Sequence, residues 1–173
     1  MKQLGENEKI LSIIRHYGKD ILSSEKYLPQ HTFIQHGTIT TAIHSAAVTY
    51  KSVEIALRSR KKVNMRVLIR AGLLHDYYLY DWHKNKNEHP LHGYTHAEVS
   101  MYNAGRDFGI GPATATAIYS HMFPLNLFRF PRTREARILC LADKICATYE
   151  TLKLDKYGPG LSTLFPEEAT ISF

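Results

Sequence analysis

The sequence predicts an all-α fold, a bundle of helices with a polar site in its interior. Apolar residues recur at helical spacing in one segment after another, residues that commonly cap helices precede several of these segments, and no stretch alternates as a strand does. At 173 residues the chain is long enough to bury a sizeable core, so we expect a single domain. We place its core at about 33–152 and expect 153–173 to be a loosely ordered tail, because glycine and proline interrupt it.

Six segments carry the helical pattern, and they are 8–22, 38–60, 65–74, 96–108, 112–122 and 134–152. Asn64 and Thr133 are suited to cap two of these helices. Thr95 is followed three residues later by Glu98, a capping-box pattern that predicts a helix starting at His96. The intervening segment 77–92 is rich in aromatic and polar residues, and irregular connections of that length are often functional.

The charge balance restricts the partners only loosely. The chain has 22 Lys and Arg against 16 Asp and Glu, a net charge of +6. This excess suits anionic ligands such as phosphorylated metabolites, and it is equally compatible with no ligand. No helix-turn-helix pattern or basic arm is present in the sequence, so we expect no specific nucleic-acid partner.

The sequence also favours a cytoplasmic protein. No run of about 18 apolar residues is present, so we expect no membrane partner, and the N-terminus has no apolar core typical of an export signal. Cys140 and Cys146 lie six residues apart on one predicted helix. Their backbones would be about 9 Å apart, too far for a disulfide, which is consistent with a reducing compartment. A homodimer is compatible with all these features.

Four polar residues stand in apolar helical surroundings, and they are His44, His75, Asp76 and Asp143. A buried carboxylate costs several kcal/mol unless it is paired or bound to a cation. Imidazole nitrogen and carboxylate oxygen are ligands of Zn, Mn, Fe and Co, and side chains from facing helices build such sites inside bundles. Each residue alone has a simpler explanation: His44 as a hydrogen-bonded core histidine, and Asp143 as the partner of Lys144 or an arginine.

Together, a His, then a His-Asp pair, then an Asp resemble the HD superfamily of metal-dependent phosphohydrolases. The matching segments are Ile-His-Ser-Ala-Ala-Val at 43–48, Gly-Leu-Leu-His-Asp at 72–76 and Leu-Ala-Asp-Lys at 141–144. The resemblance covers about 33–150 and is closest to small bacterial members that carry Phe-Ile-Gln-His-Gly, here at 33–37, and a His-Asp pair followed by aromatic residues. It implies an HD-domain-like helical bundle that holds its metal in the interior.

The resemblance also implies a divalent transition metal as cofactor, one or two ions of Fe, Mn, Zn, Co or Ni. Additional histidines resemble the two-metal pattern of the HD-GYP and cyclic-nucleotide phosphodiesterase branches. In that pattern Asp76 bridges two ions, and the further ligands are His44, His75 and Asp143 for one ion and His96 and His121 for the other. His92 competes with His96, which we favour because it begins a predicted helix. The chain lacks the Gly-Tyr-Pro motif, which disfavours cleavage of cyclic di-GMP.

The function implied is hydrolysis of a phosphomonoester or phosphodiester, in a nucleotide or a related small phosphate compound. Asp76 and His92 are the candidate catalytic residues, and His36, Lys144 and Arg129 are candidates for substrate contacts. The aromatic residues at 77–82 either stack on a nucleobase or pack the loop onto the bundle. Two alternatives remain open, a di-iron oxygenase of the same fold and a catalytically idle nucleotide- or metal-binding module. Three other histidines are expected on the surface, and they are His16, His31 and His89.

Overall fold

The computed structural model describes residues 5–82, 91–154 and 160–166, which form an all-α bundle as the sequence predicts. The α-helices of the described residues are α1 (Glu6–Leu22), α2 (Thr41–Arg58), α3 (Met65–Leu74), α4 (His92–Phe108), α5 (Pro112–Ser120) and α6 (Arg134–Thr151). Short 3₁₀ helices add Glu25–His31 and Leu161–Leu164. Within the described ranges, no helix is long and apolar enough to cross a membrane.

A small antiparallel hairpin precedes α2, and the prediction of no strands was wrong at this point. It consists of β1 (Ile34–His36) and β2 (Ile39–Thr40), with Ile34 opposite Thr40. Gly37 turns the chain with a φ of +59°, a conformation that glycine adopts without steric cost. Strands of three and two residues are too short to show an alternating pattern, which is why the sequence did not reveal them.

Helix α2 lies at the centre of the bundle and packs against α1, α3 and α6. Small residues such as Ala42, Ala46 and Ala47 are fully or almost fully buried along it, so its neighbours approach closely. A close approach occurs at Gly72 of α3, where an added Cβ would lie 2.6 Å from Oγ1 and 3.1 Å from Cα of Thr49. This contact sets the distance between the helices that carry His44 and His75.

The start of α4 differs from its prediction. The helix begins at His92 instead of His96, and the Thr95 hydroxyl donates to the Leu91 carbonyl at 3.1 Å instead of capping. The Thr95–Glu98 capping-box prediction is therefore wrong, because threonine inside a helix can bond the carbonyl four residues earlier. Because α4 starts one turn earlier than predicted, His92 lies on the same helix as His96.

The C-terminal segment 160–166 is packed against the bundle, so the predicted loose order is wrong for this part of the tail. Leu161, Leu164 and Phe165 are buried, and Arg15 donates to Oγ1 of Thr163 at 2.7 Å. The glycines and prolines of the tail indicated disorder, whereas Gly160 starts a turn at a φ of +77°. Of the rest of the predicted tail, 155–159 and 167–173 lie outside the described residues.

The surface prediction for His31 was wrong too. His31 is buried and its ring contacts Phe165 edge to face, with 4.6 Å between ring centroids. His16 is exposed as expected, and His89 lies outside the described residues.

We predict that Gly72→Ala destabilises the fold by about 1–3 kcal/mol, because the new methyl group would overlap the backbone and side chain of Thr49. Thermal unfolding followed by circular dichroism measures the effect. Gly105→Ala, inside α4 with nothing within 4 Å of its added Cβ, is the matched control and should stabilise slightly. Equal unfolding temperatures for the two variants would contradict the close packing of α2 on α3.

Candidate metal centre

Five helices bring six predicted residues together in the interior. His44 comes from α2, His75 and Asp76 from the C-terminal end of α3, His96 from α4, His121 from the end of α5 and Asp143 from the middle of α6. All six are buried. A site assembled from so many helices depends on the tertiary fold, and in sequence its members are up to 99 residues apart.

Asp76 lies between two groups of side chains. Its Oδ2 is 3.6 Å from Nε2 of His44 and 3.4 Å from Nε2 of His75. Its Oδ1 is 3.3 Å from Nε2 of His96 and 3.6 Å from Nε2 of His121. One carboxylate therefore presents each of its oxygens to a different pair of histidines.

Asp143 belongs to the first group only. Its Oδ1 lies 3.3 Å from Nε2 of His44 and 3.6 Å from Nε2 of His75. In the described part of the chain, two overlapping triplets keep their ligand atoms within 4.8 Å of one another, His44–His75–Asp143 and His75–Asp76–His121.

Backbone carbonyls fix the orientation of three of the imidazole rings. Nδ1 lies 2.8 Å from the Gly72 carbonyl in His75, 2.8 Å from the His92 carbonyl in His96 and 2.7 Å from the Ile118 carbonyl in His121. A carbonyl can only accept, so Nδ1 carries the proton and Nε2 of the neutral ring is left with a lone pair. These lone pairs point into the site. The rings are therefore in the tautomer that metal ligation requires.

The donor atoms fit divalent metal ions. At bond lengths of about 2.1 Å, neighbouring ligand atoms lie about 3.0 Å apart in an octahedron and about 3.4 Å apart in a tetrahedron. The separations around Asp76 fall close to these values. In addition, Nε2 of His75 and Oδ1 of Asp76 are buried without a hydrogen-bond partner, and buried polar atoms normally have one.

The contact between His96 and His121 also indicates a cation site. Nε2 of His96 and Nε2 of His121 lie 3.0 Å apart, although both rings donate their Nδ1 protons elsewhere. Two lone pairs at that distance repel each other unless a cation or a proton lies between them.

The carboxylates of the site are held ionised. Burial raises the pKa of Asp76, but the neighbouring His75 and His96 outweigh it, so its pKa lies below the usual range. Asp143 follows the same pattern, because the neighbouring His44 and His75 outweigh the effect of burial on its pKa. Burial and the nearby His75 lower the pKa of His121 to about 3, which keeps this ring neutral.

His44 behaves differently because carboxylates flank both of its nitrogens. Burial lowers its pKa, but hydrogen bonds to Asp143 and Glu150 raise it to about 10. A metal ion held by His44 would displace one of its protons, so metal affinity should rise with pH.

Glu150 is a residue that the sequence reasoning missed. Both of its carboxylate oxygens lie 2.9 Å from Nδ1 of His44, and it is buried. It follows Asp143 by seven residues, two turns along the same face of α6, and that spacing was the available signal. A carboxylate behind a ligating histidine orients the ring and increases its basicity.

Gln35 of β1 was missed as well. Its Nε2 donates to Oδ2 of Asp76 at 2.7 Å, and the hydroxyl of Tyr78 donates to its Oε1. The Tyr78 hydroxyl also lies 3.3 Å from the Thr41 hydroxyl. This chain of hydrogen bonds fixes the rotation of the Asp76 carboxylate.

A cavity of about 850 Å³ opens beside the ligands. Asp76, His96, His121 and Asp143 form part of its wall, and its other described lining residues are Gln35, Trp82, His92, Gly93, Met122, Pro124, Leu125, Lys144 and Ala147. A ligand of nucleotide size therefore has room next to the candidate metal ligands.

The aromatic residues after the His-Asp pair divide between two roles. Tyr77 and Tyr78 are buried in the bundle, whereas Trp82 lines the cavity and stacks on His92, with 4.9 Å between ring centroids. Leu79 separates the two parts and adopts a φ of +63°, an unusual conformation for a residue with a side chain. His92 also stacks on His96 at 4.7 Å, so it lies beside the ligand group.

The remaining candidates lie at different distances from the site. Lys144 lines the cavity, its ammonium group donates to the His121 carbonyl at 2.9 Å and it lies 3.8 Å from Oδ2 of Asp143. Arg129 is held by Glu98 at 2.8 Å and lies 4.0 Å over the Tyr119 ring, and it is absent from the described cavity lining. The side chain of His36 is outside the described structure.

The chain belongs to the HD domain family, whose sequence profile matches residues 41–148. This segment begins at the first residue of α2 and contains all six of the clustered residues. HD domains form the superfamily of metal-dependent phosphohydrolases and bind divalent metal ions. Comparisons with curated proteins and with solved structures returned no match.

We predict that Glu150→Gln lowers metal affinity about 10- to 100-fold while the fold is kept, because the ring of His44 loses its charged partner. Isothermal titration with Mn²⁺ measures the affinity. Glu54→Gln, which removes a partly exposed carboxylate of α2 paired with Lys51 and Arg58, is the control. If both variants bound Mn²⁺ like the original protein, Glu150 would have no role in the metal centre.

Proposed function

We propose that this protein is a metal-dependent phosphohydrolase that cleaves a phosphomonoester or phosphodiester bond in a nucleotide or a similar small phosphate compound. The observation that carries the proposal is the position of Asp76. Its two oxygens each face a pair of histidine nitrogens, at 3.3 to 3.6 Å.

We infer two divalent ions as the cofactor. His44, His75 and Asp143 would hold one ion, His96 and His121 the other, and Asp76 would bridge them. Metal ions in such sites lower the pKa of bound water and neutralise phosphate oxygens, which is the chemistry that phosphate ester hydrolysis requires.

The residues around the ligands supply positioning. Gln35 holds one Asp76 oxygen at 2.7 Å, so the carboxylate does not need to reorganise when substrate binds. His92 lines the cavity and is oriented by its contact with the Tyr80 hydroxyl, which lies 2.9 Å from its Nδ1. We propose that His92 contacts the substrate and donates a proton to the oxygen of the leaving group.

The lining of the cavity favours a substrate that contains a flat ring. Trp82 stacks on His92 at an interplanar angle of 6°, so a flat aromatic surface borders the cavity. A nucleobase can pack against such a surface, and Lys144 adds a positive charge that suits phosphate.

The test is Asp76→Asn, which keeps the size of the side chain and removes its charge. We expect the variant to lose bound metal, and phosphate release from a panel of nucleotides and phosphorylated metabolites should fall by at least about 100-fold. Metal analysis and a phosphate-release assay give the two measurements. Asp20→Asn is the control, because Asp20 is an exposed carboxylate that pairs with Arg70.

Metal content, phosphate release and oxygen consumption together separate the proposed function from its two alternatives. Unchanged metal content and activity in Asp76→Asn would refute the proposed site. Metal binding without phosphate release from any compound would instead favour the idle binding module. Oxygen consumption by the iron-loaded protein, again without phosphate release, would favour the di-iron oxygenase.

A further inference from the structure

Exposed apolar side chains occur in two neighbouring segments beside the cavity, 91–94 and 125–130, which meet where Asn126 bonds the Tyr94 carbonyl and Leu125 lines the cavity. We name this surface the apolar rim, and it consists of Leu91, Tyr94, Leu125, Leu127, Phe128 and Phe130. Phe128 is fully exposed and Leu127 is 68% exposed. Single exposed apolar residues are ordinary, but a cluster of large ones normally marks an interaction site.

The rim is held in place by its own contacts. The backbone of Asn126 bonds the Met122 carbonyl at 3.2 Å, and its side chain bonds the Tyr94 carbonyl at 3.1 Å. Phe130 packs edge to face on Phe123, with 5.0 Å between ring centroids. The chain therefore displays Leu127 and Phe128 from a structured turn, so binding a partner there costs little ordering entropy.

Unpaired positive charge adjoins the rim. Arg132 and Arg134 form no ion pair within the described ranges. Arg137 donates to the Pro131 carbonyl at 3.1 Å, and its guanidinium lies 5.9 Å from the ring centroid of Phe130. Exposed apolar side chains together with arginines nearby in the chain suit binding at the interface of an anionic membrane.

The positive charge near the rim favours an anionic surface over a second copy of the chain. In a two-fold symmetric dimer through the rim, the same surface would meet itself and bring these arginines towards their copies. An anionic surface complements the charge instead. Phe128 also projects from the protein, a shape suited to entering a lipid layer.

We propose that the apolar rim docks on the surface of a bilayer that contains anionic lipids, with Leu127 and Phe128 entering the headgroup region and Arg132 and Arg134 near the lipid phosphates. This contact is peripheral and needs no spanning helix, and none is found in the described residues. It differs from the expectation of no membrane partner, which rested on the lack of a spanning segment. Met122, Pro124 and Leu125 belong to the same loop as Leu127 and Phe128, and they also line the cavity. The docked bilayer would therefore lie beside the cavity mouth.

Co-sedimentation of the full chain with vesicles tests the proposal without any assay of activity. We expect binding to vesicles of phosphatidylcholine with about 30% phosphatidylglycerol, weaker binding to phosphatidylcholine alone, and a decrease with salt. The double variant Leu127→Ser/Phe128→Ser should bind at least about tenfold more weakly. Leu152→Ser is the control, because Leu152 is 61% exposed at the end of α6, outside the rim.

Three outcomes would overturn the proposal. They are failure of the original protein to bind anionic vesicles, equal binding by the double variant, and equal loss in Leu152→Ser. Light scattering of the free protein adds a fourth, since a dimer that the double variant abolishes would identify a second copy as the occupant of the rim.

Discussion

The carboxylate of Asp76 lies in the interior of the bundle, and the surrounding structure has to compensate its charge. An isolated buried carboxylate costs several kcal/mol, and its neighbours keep Asp76 ionised instead of allowing it to take up a proton. Four imidazole nitrogens lie within 3.6 Å of its oxygens. Oδ1 has no hydrogen-bond partner, and a cation between it and His96 and His121 would satisfy it.

Two close contacts of the fold place the groups that compensate the charge of Asp76. Gly72 allows α3 to approach α2 at Thr49, which brings His44 and His75 to the same oxygen of Asp76. The hairpin before α2 adds Gln35, whose amide donates to that oxygen at 2.7 Å. The polar residues around the ligands are therefore as much a part of the centre as the ligands themselves.

Helical spacing predicted most of the bundle, and α3 has the predicted bounds because Asn64 caps it with its own side chain. The six clustered residues were all named from the sequence. Four of them, His44, His75, Asp76 and Asp143, were found because polar residues in apolar helices need an explanation, and the resemblance to two-metal HD proteins implied His96 and His121. The hairpin, Gln35 and Glu150 were missed for a common reason. Their roles depend on contacts between residues far apart in the chain, such as Glu150 with His44 over 106 residues. The spacing of Glu150 from Asp143 indicates a shared helix face, but local patterns do not identify the distant partner.

We propose that Asp76 bridges two metal ions. Anomalous X-ray diffraction at the manganese edge, from crystals of the protein loaded with Mn²⁺, tests it directly. We expect two anomalous peaks, one beside each oxygen of Asp76, with His44, His75 and Asp143 around the first and His96 and His121 around the second. A single peak, or peaks away from Asp76, would contradict it.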